Sequence, residues 1–214
     1  MPDAATRLAA VRAGIDRACR AARRKPDDVT LIAVSKGRTV EEIEPLLAAG
    51  HRCFGESRVQ EAAEKWPALR ARYPDVELHM IGRLQSNKAA EAVTLFDAIH
   101  SLDRDSLLAA LAASDEPPPC FVQVNIGAEE QKGGVAVDSL AAFLAGLAKT
   151  RVPLAGLMAI PPDGAQPGPY FALLAELARR HDVAGLSMGM SGDFETAVML
   201  GATHVRVGSA LFSD

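Results

Sequence analysis

The stretch VTLIAVSKGRTVEEI (Val29–Ile43) poses the question on which the fold turns. Val29 and Leu31–Val34 suit a buried strand, yet the run ends on Ser35 and Lys36, with an ammonium group where the pattern still reads as interior. Just beyond, Thr39 stands before Glu41 and Glu42. That is helix-opening chemistry: a hydroxyl for the free N–H groups and carboxylates for the positive end of the dipole. Side chains alternate along a strand, so Ile32, Val34 and Lys36 share one face, and Leu31, Ala33 and Ser35 the other. The unit is a strand, a polar loop and a helix.

The unit recurs along the chain. Apolar runs lie at Val29–Ser35, Arg52–Gly55, Val76–Gly82, Phe96–His100, Cys120–Asn125, Leu154–Ile160, Gly185–Ser187 and Thr203–Val207. Between them are helical segments such as Val40–Ala49, Ser57–Arg72, Arg104–Ala113, Ser139–Lys149, Tyr170–His181 and Phe194–Leu200. LQSNK (Leu84–Lys88) opens a further helix, Ser191 before Asp193 is start chemistry for the Phe194–Leu200 helix, and Gly50 and Gly201 stand where two helices stop. Strands that alternate with helices pair in parallel, because each crossover needs a helix. An open doubly wound sheet would usually carry a Gly-rich dinucleotide turn, which this sequence lacks. The spacing therefore predicts an α/β protein with a (β/α)8 TIM barrel at the short end of that fold's size range. The loops Asp115–Pro119 and Pro161–Pro169 are too short for linkers, so residues 1–214 are expected to form a single domain. Residues 1–25 add an N-terminal helix, with Leu8, Val11, Ile15 and Ala18 at helical spacing beneath a basic outer face. Its acidic residues Asp3 and Asp16 set it apart from a transit peptide.

Composition narrows the function classes. Of 214 residues 49% are hydrophobic and 23% charged, enough for a sizeable core. A net charge of -4 argues against a dedicated nucleic-acid binder, and no apolar run approaches the roughly 18 residues that span a bilayer. Cys19, Cys53 and Cys120 are odd in number and lack a CxxC spacing, as expected of reduced thiols in a cytoplasmic protein. His51, His79, His100, His181 and His204 show neither HExxH nor paired metal spacing, so no metal site is expected, and His79 and His204 read as satisfied interior or surface groups. Glu41, Glu42 and Glu44 answer the helix dipole, and Trp66 reads as a packing residue.

In such barrels the chemistry sits where strands end and βα loops begin. Those positions hold Ser35-Lys36, Gly55-Glu56-Ser57, Gly82-Arg83, His100-Ser101, Asn125, Met158, SMGMSGD (Ser187–Asp193) and RVGS (Arg206–Ser209). Lys36 has two readings. It is either a partly desolvated amine at the barrel mouth, with a lowered pKa and nucleophilic toward aldehydes, or the first residue of a solvated loop. The last two loops favour the first reading. Barrels often bind phosphate through the loops after strands seven and eight, and both are Gly/Ser-rich here, with Ser191, Gly192, Gly208 and Ser209 as donors. An amine with a phosphate site selects phosphorylated aldehydes or ketones. Pyridoxal phosphate and the sugar phosphates of a Schiff-base aldolase both qualify.

AVSKGRT, CFGESRVQE, HMIGRLQSNK, FVQVNIGAEEQKGG, GLMAIPP and LSMGMSGDFETAVMLGATHVRVGSALF resemble, in this order from about Val29 to Phe212, the motifs of the pyridoxal 5′-phosphate homeostasis proteins. These are single-domain relatives of the barrel half of alanine racemase. The resemblance implies a type III pyridoxal-phosphate barrel that holds the cofactor as a reversible Schiff base on Lys36. Phosphate contacts would fall on Ser191, Gly208 and Ser209, and Arg206 would face the pyridine nitrogen. Ser57 stands where relatives commonly carry asparagine, a departure that shortens the side chain and removes its amide. QKGG (Gln131–Gly134) matches the loop after strand five, where Lys132 would be a second amine near the mouth.

Racemisation on this cofactor needs a base on each face of the α-carbon. In two-domain racemases the partner of the lysine is a tyrosine reached from another domain, and this chain stops just past strand eight. Its tyrosines, Tyr73 and Tyr170, are not placed as an acid/base. The expectation is a cytoplasmic, monomeric carrier of pyridoxal 5′-phosphate acting in vitamin B6 homeostasis without catalysis, with pyridoxal-phosphate-dependent apoenzymes as recipients. Three rivals stand beside it: a weak amino-acid racemase completed by a second subunit or Lys132, a sugar-phosphate aldolase, and a scaffold that forms no adduct.

Overall fold

Strand β1 (Thr30–Val34) forms where the opening stretch places it, and it pairs on both sides in parallel. The computed structural model describes residues 3–129 and 133–212. From β1 the sheet runs through β2 (Cys53–Glu56), β3 (Glu77–Met80), β4 (Ala98–Leu102) and β5 (Cys120–Asn125). It continues through β7 (Leu154–Met158), β8 (Gly185–Ser187) and β9 (His204–Val207), which returns to β1. The result is a closed eight-stranded parallel barrel, and β6 (Val135–Ala136), not foreseen in the sequence, pairs with β5 outside that ring. The helices α1 (Ala4–Ala21), α2 (Val40–Ala48), α3 (Val59–Arg72), α4 (Ala89–Leu95), α5 (Asp105–Ala112), α6 (Leu140–Leu147), α7 (Gly168–Arg180) and α8 (Phe194–Met199) surround it.

Two layers of side chains hold this arrangement. Between barrel and helices, Leu31 and Ala33 of β1 pack with Ile43, Leu46, Leu47, Phe54 and Trp66 in one continuous apolar shell. Burying each large side chain there is worth about 1.5–3 kcal/mol. Inside the barrel the set is smaller and partly polar: Ile32, His79, His100, Phe121, Ser187 and Arg206 are all buried. Space is tight there, since a Cβ on Gly55 would lie 2.8 Å from Ile32.

Thr39 caps α2, with Glu42 returning to its backbone N–H, and Gly50 and Gly201 take positive φ just after α2 and α8. Several boundaries differ from expectation. Strand β4 extends to Leu102, so His100 is central and fully buried instead of ending the strand. Helix α8 starts at Phe194 as expected, but behind Asp193, which leaves Ser191 in the preceding turn and not at the helix start. Helix α3 starts at Val59, which leaves Ser57 in the loop. A 3-10 turn, Ser86–Lys88, precedes α4, which begins at Ala89. Helix α1 is shorter than residues 1–25 and buries Leu8, Val11, Ile15 and Ala18 on α8 and α2. Its basic face is not simply solvated: Arg7 donates to the Leu211 carbonyl, Arg17 pairs with Glu195, and Arg24, past the helix end, donates to Val198.

Candidate functional site

Lys36 follows β1 at the C-terminal rim, in a loop fixed from outside. Ser35 faces outward and donates through Oγ to Glu56 Oε1 at 2.7 Å. The ammonium of Lys65, on α3, donates to the carbonyls of Ser35 (3.1 Å) and Arg38 (3.2 Å) and lies 2.8 Å from carboxylate oxygens of Glu56 and Glu61. Glu61 also accepts the Gly37 N–H at 2.5 Å, and Gly37 takes φ +70°, a turn that favours glycine. Lys36 itself is exposed, not partly desolvated as the reading favoured by the two Gly/Ser loops expected. The reason is local: β1 ends at Val34, and the chain turns at Gly37 on the rim.

The two Gly/Ser loops meet beside the end of β1, the strand that leads into Lys36. Ser191 is not a helix cap. Its Oγ accepts the N–H of Gly208 at 3.1 Å and of Ala210 at 3.5 Å, which ties the loop after β8 to the loop after β9. Asp193 instead takes the Met190 N–H at 2.6 Å. The backbone N–H groups of Gly192 and Ser209 donate to no acceptor among the described residues. A Cβ on Gly192 would meet nothing within 4 Å, and one on Gly208 would lie 3.4 Å from the Cβ of Val34, the last residue of β1. An anion cradle with free amides, bordered by glycine, therefore adjoins the strand that carries Lys36. Those features fit a phosphate group.

Below the rim, Arg206 is opposite Ile32 in the β1–β9 register and is 5% exposed. It donates to Ser187 Oγ at 2.5 Å and to the Ala159 carbonyl at 3.1 Å. Burial pushes its pKa down to about 10, which leaves it cationic at neutral pH. Ser187 also bonds Nδ1 of His100 at 2.8 Å. Burial drives the pKa of His100 well below the usual imidazole value, and the neighbouring His79 and Arg206 add to the shift. Ser57 lies after β2, where a Cβ on Gly82 would come 2.3 Å from its carbonyl oxygen, and it borders a cavity of about 530 Å³ lined by Arg58, Arg83, Lys88 and Arg104. The rim thus gathers Lys36, Ser191, Gly208 and Ser209, with Arg206 beneath and Ser57 on the neighbouring β2 side. Lys132 lies outside the described residues. Sequence reasoning placed His100 and Ser187 at strand ends without giving either a role, and it missed Lys65. The inward alternation along β4, β8 and β9 could have flagged the first two, but nothing in the sequence pattern marks Lys65.

Residues 7–214 match the family model described as alanine racemase, N-terminal domain. The chain is 39% identical over 226 residues to the pyridoxal phosphate homeostasis protein of Aquifex aeolicus, covering 99% of this chain and 98% of that one. It belongs to the pyridoxal phosphate homeostasis protein family. Among similar solved structures is PipY of Synechococcus elongatus with pyridoxal phosphate bound: 37% identity, a TM-score of 0.83, 98% of this chain and 100% of that chain covered. The alanine racemase of Corynebacterium glutamicum, at 18% identity and a TM-score of 0.67 over 94% of this chain and 60% of its own, shares the barrel.

Proposed function

We propose that this chain, taken over residues 1–214 as one unit, binds pyridoxal 5′-phosphate at the C-terminal rim and holds it for vitamin B6 homeostasis without catalysing a reaction. Bound there, the cofactor supplies an aldehyde that condenses reversibly with a primary amine. Lys36 is that amine. Ser191, Gly208 and Ser209 hold the phosphate, Arg206 serves the ring nitrogen, and Ser57 borders the ring from β2. The observation that carries this reading is the shared rim: Val34, two residues before Lys36, lies 3.4 Å from where a Cβ on Gly208 would stand, in a cradle where the amides of Gly192 and Ser209 donate to no acceptor among the described residues. A similar protein at 37% identity solved with the cofactor bound supports it.

The non-catalytic part rests on what stands near the amine. Tyr73 ends α3 with its ring beneath the guanidinium groups of Arg52 and Arg72, and Tyr170, in the first turn of α7, packs against the apolar shell. Neither is offered as a second base. An arginine at the ring nitrogen also leaves that nitrogen unprotonated and the ring a poorer electron sink. The carrier is read as a cytoplasmic monomer that yields its cargo to pyridoxal-phosphate-dependent apoenzymes. No helix among the described residues is long and apolar enough to cross a membrane, and Cys19, Cys53 and Cys120 are free thiols.

Purified protein mixed with pyridoxal phosphate should show a visible absorption band, and borohydride should fix the adduct on the Lys36 peptide. Lys36→Ala should lose both. An adduct on Lys88, Lys132 or Lys149 would overturn the site. Racemisation of common amino acids well above that of free cofactor, read by chiral chromatography, would overturn the carrier role.

A further inference from the structure

We infer that the barrel holds a second, metal-binding site at its N-terminal end, made by Cys53, Glu77 and His79 and suited to Zn²⁺ or a similar borderline divalent cation. Cys53 opens β2 and Glu77 opens β3, and the two face each other in the parallel register, with Gly55 opposite His79. Alternation along β3 puts Glu77 and His79 on the same face, and register adds Cys53. Their donor atoms all lie within 4.8 Å of one another, and among the described residues this is the single group of three such side chains that does so. Cys53 Sγ is 3.6 Å from His79 Nε2. Tetrahedral zinc bonds of about 2.3 Å to sulfur and about 2.05 Å to nitrogen set those atoms about 3.6 Å apart. Glu77 lies 3.9 Å from Nε2, slightly long, but its side chain is 67% exposed and free to swing inward.

Three further features favour an ion over simple packing. The first is orientation. His79 Nδ1 is 2.9 Å from His100 Nε2, and His100 Nδ1 is 2.8 Å from Ser187 Oγ. With each Nδ1 as the donor, the lone pair of His79 Nε2 faces Cys53 and Glu77, and Ser187 receives His100 and Arg206 together. A metal-ligating histidine anchored through its other ring nitrogen is the arrangement such sites use. The second is access: a cavity of about 350 Å³, lined by Glu77, His79, Asp97, Phe121 and His204, opens at this end and leaves room for a water as fourth ligand. The third is donor type, since a mixed sulfur, imidazole and carboxylate set suits zinc or cobalt better than magnesium or calcium. The sequence hides the set because spacing motifs see ligands near one another in the chain, and here strand register joins them.

The site stands at the opposite end of the barrel from Lys36, so its test is independent of the cofactor. Full-length protein stripped with chelator should bind one equivalent of Co²⁺, with a sulfur-to-cobalt charge-transfer band and tetrahedral d–d bands that Zn²⁺ bleaches. Cys53→Ser should lose the charge-transfer band. Glu77→Gln should weaken Co²⁺ binding about tenfold while the far-ultraviolet circular dichroism stays that of the parent. Lys36→Ala should bind as the parent does. Absence of the charge-transfer band in the parent, its survival in Cys53→Ser, or its loss in Lys36→Ala would each overturn the assignment.

Discussion

Ser191 carries more of the candidate site than a capping residue would. Its hydroxyl oxygen takes the Gly208 N–H, so one side chain sets the distance between the two loops offered to the phosphate. Removing one such bond costs about 0.5–1.5 kcal/mol net, and the loops lose their register as well. Ser191→Ala should therefore bind pyridoxal phosphate about two- to tenfold more weakly in a spectral titration, with Ser191→Thr restoring most of the loss. Parent-like affinity in Ser191→Ala would remove the residue from the cradle. The sequence placed Ser191 at a barrel rim among the phosphate donors, but its reading as a helix start was wrong, because a hydroxyl just before a helix looks like a cap whether or not another loop claims it. Lys36 shows the converse: alternation placed Ile32 inside the barrel, whereas the exposure of Lys36 follows from the turn at Gly37, which no periodicity encodes.

Helix α3 and the β1–α2 loop act as a pair. Lys65 ties two carbonyls of the loop to Glu56 and Glu61, and Glu56 is fully buried, also accepting Ser35 Oγ and the Trp66 indole N–H. Breaking a buried ion pair by removing one partner costs about 3–5 kcal/mol, since the remaining charge stays desolvated. Lys65→Met should accordingly lower stability by about 3 kcal/mol in urea unfolding, and the double variant Lys65→Met/Glu56→Gln should recover part of the loss. Additive losses in that pair would show that the clamp is not the source. The elements themselves were legible. Apolar residues at strand and helix spacing gave every barrel strand and most helices, because those periods record which face is buried. The clamp was not, since Lys65, Glu61 and Glu56 occupy positions where a charged residue ordinarily means solvent, and Trp66, read as packing alone, is also a hydrogen-bond donor.

At the scale of the whole barrel, closure places imidazoles in the interior. His100 is fully buried and stacked on Phe121, and His204 lies edge-on to the same ring. Alternation tells which residues of each strand face inward, but which of them meet across the barrel could be read only once the register was known, because parallel βα units look alike whatever their inward side chains do. Burial depresses the pKa of His204 and of His51 to about 4, and that of His100 well below the usual value. Between pH 6.5 and 4 the unfolded chain therefore binds protons that the folded chain refuses, so stability is fully present above the unfolded pKa and falls as pH drops. From an unfolded value of about 6.5, His51 and His204 should each cost about 2 kcal/mol at pH 5 relative to pH 7. Urea midpoints of metal-free, cofactor-free protein should fall clearly between those two pH values. His51→Gln, whatever its stability at pH 7, should lose less on the same acidification, because it lacks one of the reluctant imidazoles. Equal midpoints at both pH values would mean that these imidazoles are protonated in the folded protein, and an unchanged acid loss in His51→Gln would mean that His51, which packs on Phe54 of the outer shell, is not one of the reluctant groups.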